Sequence, residues 1–212
     1  MSFKDNLEMP PKEYGIFNIK TFDINDNLID EYTENNLIVA TARESMAAAI
    51  GGKTGTGTGP INKFVMGTKG HVNNILIPLN VGETQPGLGV FDTTRTKLFS
   101  EQASNEYYYA VSFNPASATN EKIDGGLNGV LKRGNTTVVT NTGTNLVKRS
   151  NSGNIVTFTI TIDEGSSNIT SGALAFTEAA LYSGNNLFAM KTFPARVKEN
   201  SVKFVITWSI IF

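Results

Sequence analysis

The sequence predicts a mostly β protein: a two-sheet antiparallel β-sandwich, or a small barrel as the competing arrangement, with one short α-helix and long loop insertions. Three observations carry that class. From Val202 onward every even position is large and apolar (Val202, Phe204, Ile206, Trp208, Ile210, Phe212), and Ser201, Lys203, Thr207 and Ser209 alternate with them. Side chains of a strand point to alternate faces, so this segment lays six bulky groups on a core and turns the rest to a wetter side. Residues 155–162 repeat the pattern, with Val156, Phe158, Ile160 and Ile162 set against Thr157, Thr159 and Thr161. Finally, 40% hydrophobic and only 17% charged residues, with 20 glycines, suit a β protein rich in turns better than a helical enzyme.

Taken in order, residues 1–13 are polar around Pro10-Pro11 and predict an extended arm, disordered or laid across a neighbouring subunit, with Pro10 and Pro11 as candidate interaction residues. Residues 14–212 form a single domain. Tyr14 to Phe22 reads as a strand, 23–27 as a turn and Leu28 to Tyr32 as the returning strand. Asn35 or Asn36 then caps a helix with Ile38, Ala42, Met46, Ala49 and Ile50 on one face, stopped by Gly51-Gly52. A Gly-Thr loop to Pro60 leads into a strand, Ile61 to Met66, that leaves through Gly67-Thr68-Lys69-Gly70.

The stretch at about 68–105, with Pro78, Pro86 and several glycines, predicts a loop insertion. Glu106 to Phe113 is a strand with Tyr107, Tyr109, Val111 and Phe113 on one face, which leaves Tyr108 at an edge or interface. Residues 114–153 turn to Asn, Thr, Gly and Ser and predict a second loop insertion carrying short β-like pieces at 130–131, 136–139 and 146–147. After 155–162 come Leu174 to Tyr182, a Ser-Gly-Asn-Asn turn, Leu187 to Phe193 and, past Pro194, the terminal strand. The expectation is about eight strands and one helix. Burying the apolar face of the last strand is worth ~1.5–3 kcal/mol per side chain, which makes it a central strand.

The totals also restrict function. A formal net charge of −1 gives no electrostatic reason for a nucleic acid or acidic membrane partner. The chain has no cysteine and one histidine, His71, so disulfides, Cys-based zinc sites, Cys nucleophiles and any Ser-His-Asp triad without His71 are excluded. No run reaches the ~18 apolar residues of a spanning helix, and the first residues lack a signal-peptide core, so folding in a cytoplasm is expected.

Isolated motifs have plain explanations. Residues 47–54 end in Gly-Gly-Lys-Thr, but a phosphate loop needs a strand before it and a helix after it, and here the helix comes first. Asp23, Asn25, Asn27, Glu31 and Glu34 sit at calcium-loop spacing, yet Leu28 stands where that loop needs glycine; a hairpin turn explains the same residues. His71, in a glycine-flanked loop, reads as a surface residue. Asp163 and Glu164 form a turn, and Glu178 is assigned a structural role such as an edge-strand contact. No cofactor is expected.

A resemblance lies in the last forty residues or so. Phe176-Thr177-Glu178-Ala179-Ala180-Leu181-Tyr182, then Leu187-Phe188-Ala189-Met190-Lys191-Thr192-Phe193, then Lys198 and the strand ending Ile206-Thr207-Trp208-Ser209-Ile210-Ile211-Phe212, resemble the closing hairpin of a loose family of tailed-bacteriophage virion proteins. There an I-T-E-x-G-L-[FY] segment meets an F-A-R strand, and a W-x-I-x-F strand ends the domain. Ala180 replaces the family's glycine and Lys191 stands near its arginine; Asn36-Leu37-Ile38-Val39 matches the N-L-I-V start of the family's helix. The residues carrying the fold motif are Glu178, Leu181, Phe188, Phe193, Phe204, Trp208 and Phe212. The resemblance implies a non-enzymatic structural component of a phage particle, assembled in the host bacterial cytoplasm. Its implied place is the tail, collar, baseplate or fibre attachment, as a homo-oligomer (trimer or hexamer) bound to other virion structural proteins, with no nucleic acid or membrane partner. The alternatives are a capsid decoration or head-fibre protein and, from another class, a carbohydrate- or receptor-binding module using the Tyr107-Tyr108-Tyr109 triplet. An enzyme comes third.

Overall fold

The computed structural model describes residues 15–51, 59–72, 76–114, 121–169 and 172–211. The expected arm with Pro10 and Pro11, most of the Gly-Thr loop and Phe212 lie outside the described residues. In chain order the elements are β1 (Gly15–Phe22), β2 (Leu28–Asn35), β3 (Leu37–Ile38), α1 (Ala40–Ile50) and β4 (Lys63–Gly67). Four two-residue strands follow, β5 (His71–Val72), β6 (Ile77–Pro78), β7 (Thr84–Gln85) and β8 (Gly89–Val90), then the one-turn helix α2 (Phe99–Gln102). The remainder is β9 (Tyr107–Ser112), β10 (Glu121–Arg133), β11 (Thr136–Ser152), β12 (Ile155–Ile162), β13 (Leu174–Ser183), β14 (Asn186–Lys198) and β15 (Lys203–Ile211).

The protein is mostly β, as its alternating segments require. Eleven strands form one antiparallel sheet in the order β2-β1-β15-β12-β11-β10-β9-β4-β13-β14-β3, and β5-β6 and β7-β8 make two small pairs. The edge strand β2 passes through Asn36 directly into β3, the strand at the opposite edge, so the sheet is wrapped until its two edges meet. Side chains lace this seam. Glu34 of β2 pairs with Lys191 of β14, and Asp30 pairs with Arg196 at 3.1 Å. The Tyr32 ring lies 5.9 Å from the Lys191 ammonium and 5.8 Å from the Arg196 guanidinium.

Aromatic contacts across the interior show which strands face each other. Phe17 of β1 stacks across the interior on Phe193 of β14 at 5.3 Å, and meets Trp208, its partner on the adjacent strand β15, edge-on at 4.9 Å. Phe176 faces Phe204, and Phe113 faces Phe158. Strand β15 is central, as expected: it pairs with β1 on one side and β12 on the other, and Phe204, Ile206, Trp208 and Ile210 are buried. The outward threonines of β12 meet their own sheet, Thr157 lying opposite Ser209 with hydroxyls 3.1 Å apart.

Three expectations are corrected. The stretch at 114–153 is no loop insertion, because residues 121–152 form β10 and β11 in the middle of the main sheet. Most of their Thr and Asn side chains bury little, and the backbone ladder, with the buried Asn145, holds them. The stretch at 68–105 contains β5–β8 and α2, and its Leu79, Phe91, Leu98 and Phe99 join the core. Helix α1 begins at Ala40 and not after Asn36: Ile38 pairs with Ala189 in β3, since completing the sheet edge satisfies backbone groups that an earlier helix would leave to β14 alone. Strands thus outnumber the eight expected, and α2 is a second helix.

Candidate functional site

The resembling segment turns out to be a mount for the neighbouring loops. In β13 the side chains of Phe176, Ala180, Leu181 and Tyr182 are buried, and Glu178 among them is wholly inaccessible. Its carboxylate accepts hydrogen bonds from the Phe99 N–H at 3.0 Å, the Ser100 N–H at 2.7 Å and the Ser100 hydroxyl at 2.5 Å. One oxygen pair thereby satisfies two orphan amides at the start of α2. The close approach is permitted by Gly67 and Gly70, where a Cβ would press on Ser100 and on Thr177 and Glu178. Burial pushes the Glu178 carboxyl up to about 7, against the pull of those three donors. Glu178 is therefore buried between the outer face of the sheet and the insertion, away from any sheet edge, and fixes the 68–105 segment to the barrel.

Lys198 at the end of β14 mirrors it. The side chain is fully buried, and its ammonium donates to the carbonyls of Glu164 at 2.8 Å and Glu199 at 3.0 Å and to Asn168 Oδ1 at 3.3 Å. Burial lowers its pKa to about 8, opposed by Glu164, Asp163 and Glu199. The turn at 163–169 is held by this cation as the insertion is held by the anion. Leu181, Phe188, Phe193, Phe204 and Trp208, the apolar motif residues within the described part, are all buried in the core.

Tyr108 lies elsewhere, on the outer face of the sheet. Tyr109, Val111 and Phe113 point inward and are buried, so Tyr108, Ala110 and Ser112 point out. Cross-strand register sets three outer rows: Gly67–Tyr108–Lys132, Val65–Ala110–Val130, and Lys63–Ser112. Small side chains in the middle row leave the surface concave, and α2, packed on β4 and β9, walls one side with Glu101. The result is a groove of about 620 Å3 lined by Lys63, Glu101, Tyr108, Asn128, Val130 and Lys132, among others. Burial, and then the Glu101 charge, raise the pKa of the Tyr108 phenol. This site needed the register of three strands distant in sequence, and nothing in the sequence pairs Lys63 or Lys132 with Tyr108.

The remaining candidates resolve into structural roles. His71 is a correction: it is buried in β5, its ring Nδ1 3.4 Å from the Thr177 hydroxyl, and Gln85 donates to its carbonyl at 2.5 Å. The insertion folds over it, which is why a glycine-flanked position is not on the surface. Asp23 accepts from the amides of Asn25 and Asn27 and from the Asn27 side chain, contacts that hold its pKa below the usual carboxylate range. Glu31 pairs with Lys20 and Glu34 with Lys191, so the calcium-spaced acids diverge into a hairpin turn and the seam. Glu164 is raised by its contact with Asp163 in the turn held by Lys198. Among the described residues no group of three or more His, Cys, Asp or Glu is arranged to hold a metal ion. No helix of the described residues is long and apolar enough to cross a membrane.

No protein family, curated protein or solved structure matches the chain.

Proposed function

We propose that this chain is a non-enzymatic structural component of a tailed bacteriophage particle, a tail, collar, baseplate or fibre-attachment protein that assembles as a homo-oligomer with other virion proteins. The observation that carries the reading is the double use of the resembling segment. Its apolar residues build the core, and its two buried charges, Glu178 and Lys198, fasten the adjoining loops. A rigid wrapped sheet presenting fastened loops suits an assembly subunit, whose contacts need broad complementary surfaces more than reactive groups. Gold-tagged antibody against the chain, viewed on particles by electron microscopy, is expected to mark the tail or neck. Label spread over the head makes it a capsid decoration or head-fibre protein, and label on no particle ends the virion reading.

A receptor-binding module is the second reading, favoured by the outer groove that holds Tyr108. Its test is adsorption to host cells: Tyr108→Ala is expected to slow it, and unchanged adsorption counts against a binding role for this face.

A further inference from the structure

The outer groove of β4, β9 and β10 collects charge in an unusual way. Lys63 and Lys132 enter it from opposite strands, and Lys97 lies near enough to act on Lys63. None of the three makes a salt bridge among the described residues. The one acid among the described residues of the groove, Glu101, is already engaged: it accepts the Leu98 N–H at 3.2 Å and the Tyr182 hydroxyl. The Lys63 ammonium lies 4.3 Å over the Tyr182 ring, a half-buried position. Burial holds its pKa below the usual lysine range; Glu101 opposes the shift, and Lys132 and Lys97 add to it. Lysines on a free surface fan apart into water, whereas Lys63 and Lys132 line one groove, half-buried at Lys63 and near enough for one charge to act on the other, and an anion relieves both costs.

The groove also offers what a sugar ring uses. Its floor of Ala110, Leu127 and Val130 is apolar, and the Tyr108 ring stands beside it in the row of Lys132. Ser112 and Asn128 supply neutral polar groups at the other end. Its volume falls in the range of small-ligand sites. We propose that this groove binds an anionic saccharide, a sugar carrying phosphate or carboxylate, with Lys63 and Lys132 holding the charge and the Tyr108 ring packing on the apolar face of the sugar. The inference rests on the receptor-binding reading of this groove and names its ligand class; adsorption tests that reading on whole particles, particle labelling tests the assembly role, and the titration below reads only the groove.

The test is a backbone-amide NMR titration of the whole chain with four probes: mannose 6-phosphate, glucuronic acid, mannose and inorganic phosphate. The expected result is that one or both charged sugars shift the amides of Ala110 and Val130, and that mannose and phosphate alone each bind about tenfold more weakly. Phosphate-bearing and carboxylate-bearing ligands are separated by which of the first two probes binds more tightly. Lys132→Ala and Tyr108→Ala should each weaken the better probe about tenfold, with Lys132→Gln keeping the side-chain stem should the shorter variant not fold. Lys122→Ala, on a residue paired with Asp124 and outside the groove, should change nothing. Mannose binding as tightly as the charged sugars overturns the proposal, and so does phosphate alone matching them. Absence of any shift at about 10 mM probe overturns it as well, as does full affinity in the Lys132 variants.

Discussion

The last three strands and the β10–β11 hairpin occupy the same sheet by different means. In β13, β14 and β15 nearly every inward side chain is large and buried, from Phe176 and Leu181 to Trp208 and Ile210. In β10 and β11 only Gly129, Leu131, Asn145, Val147 and Arg149 are buried, with Gly134 in the turn between them, and residues 136–143 are largely exposed. What ties the hairpin to the core is a polar knot. Tyr109 of β9 projects under Gly129, where any Cβ would collide with its ring, and Asn145 donates to the Tyr109 hydroxyl at 2.9 Å and to the Leu127 carbonyl at 3.0 Å. One region is stabilised by apolar area, the other by ladder hydrogen bonds and one well-placed contact. Damage should therefore be spread over many residues in the first and confined to a few in the second.

The largest expected effect is in the apolar region. Trp208→Ala should cost about 3–5 kcal/mol in urea unfolding, as for other buried large-to-small changes, and removal of residues 208–212 should leave no soluble folded protein. A truncated chain with an unchanged melting curve would show that β15 is not central.

Next come the two buried charges. Glu178, raised from 4.5 to about 7, holds its proton in the folded state where the unfolded chain has lost it, so stability falls as pH rises from about 4.5 to 7. Lys198, lowered from 10.5 to about 8, has lost its proton in the folded state where the unfolded chain keeps it, so stability rises between about 8 and 10.5. Together they predict a shallow minimum of stability near pH 7–8, on the order of 2–3 kcal/mol deep on each limb. Chemical denaturation across that range checks it: Glu178→Gln should flatten the acid limb and Lys198→Met the alkaline one. A flat profile in the parent chain rules out both shifts.

Smaller again is the knot. Tyr109→Phe removes the hydroxyl that accepts from Asn145 and should cost about 1–2 kcal/mol, while Gly129→Ala should cost more than an exposed strand glycine normally does. Smallest is Val138→Thr on the exposed arm of β11, expected within about 0.5 kcal/mol; a loss of 2 kcal/mol there would mean that the arm packs on something.

This contrast also explains what could be read in advance. Strands that bury one face announce themselves by period, which is why β12 was legible to the residue and β15 to within one residue of its start. Val130, Leu131, Val138 and Leu146 mark β10 and β11 only in fragments, because residues 121–128 lie beyond the reach of β9 and residues 136–145 beyond that of β12, and both stretches bury few side chains. Tyr108 was legible as the outward member of its triplet, but the groove around it was not: Lys63 and Lys132 reach it only through the β4–β9–β10 register. The burial of Glu178 was hidden for a similar reason, since its partners at Phe99 and Ser100 are backbone amides and one hydroxyl nearly eighty residues away.

The passage from β2 through Asn36 to β3 has a bearing on how such a subunit meets its neighbours. An open sheet advertises a row of vacant amides and carbonyls to which a neighbour's strand can add. Here the two margins are shut on each other by a single residue of chain and by the Glu34–Lys191 and Asp30–Arg196 pairs. A neighbour's strand must displace these pairs before it can add to either margin, and recognition falls first to side chains and loops, which can be changed without opening the seam. High salt, which weakens exposed ion pairs, or a chain break at Asn36 should loosen that clasp before it disturbs the core.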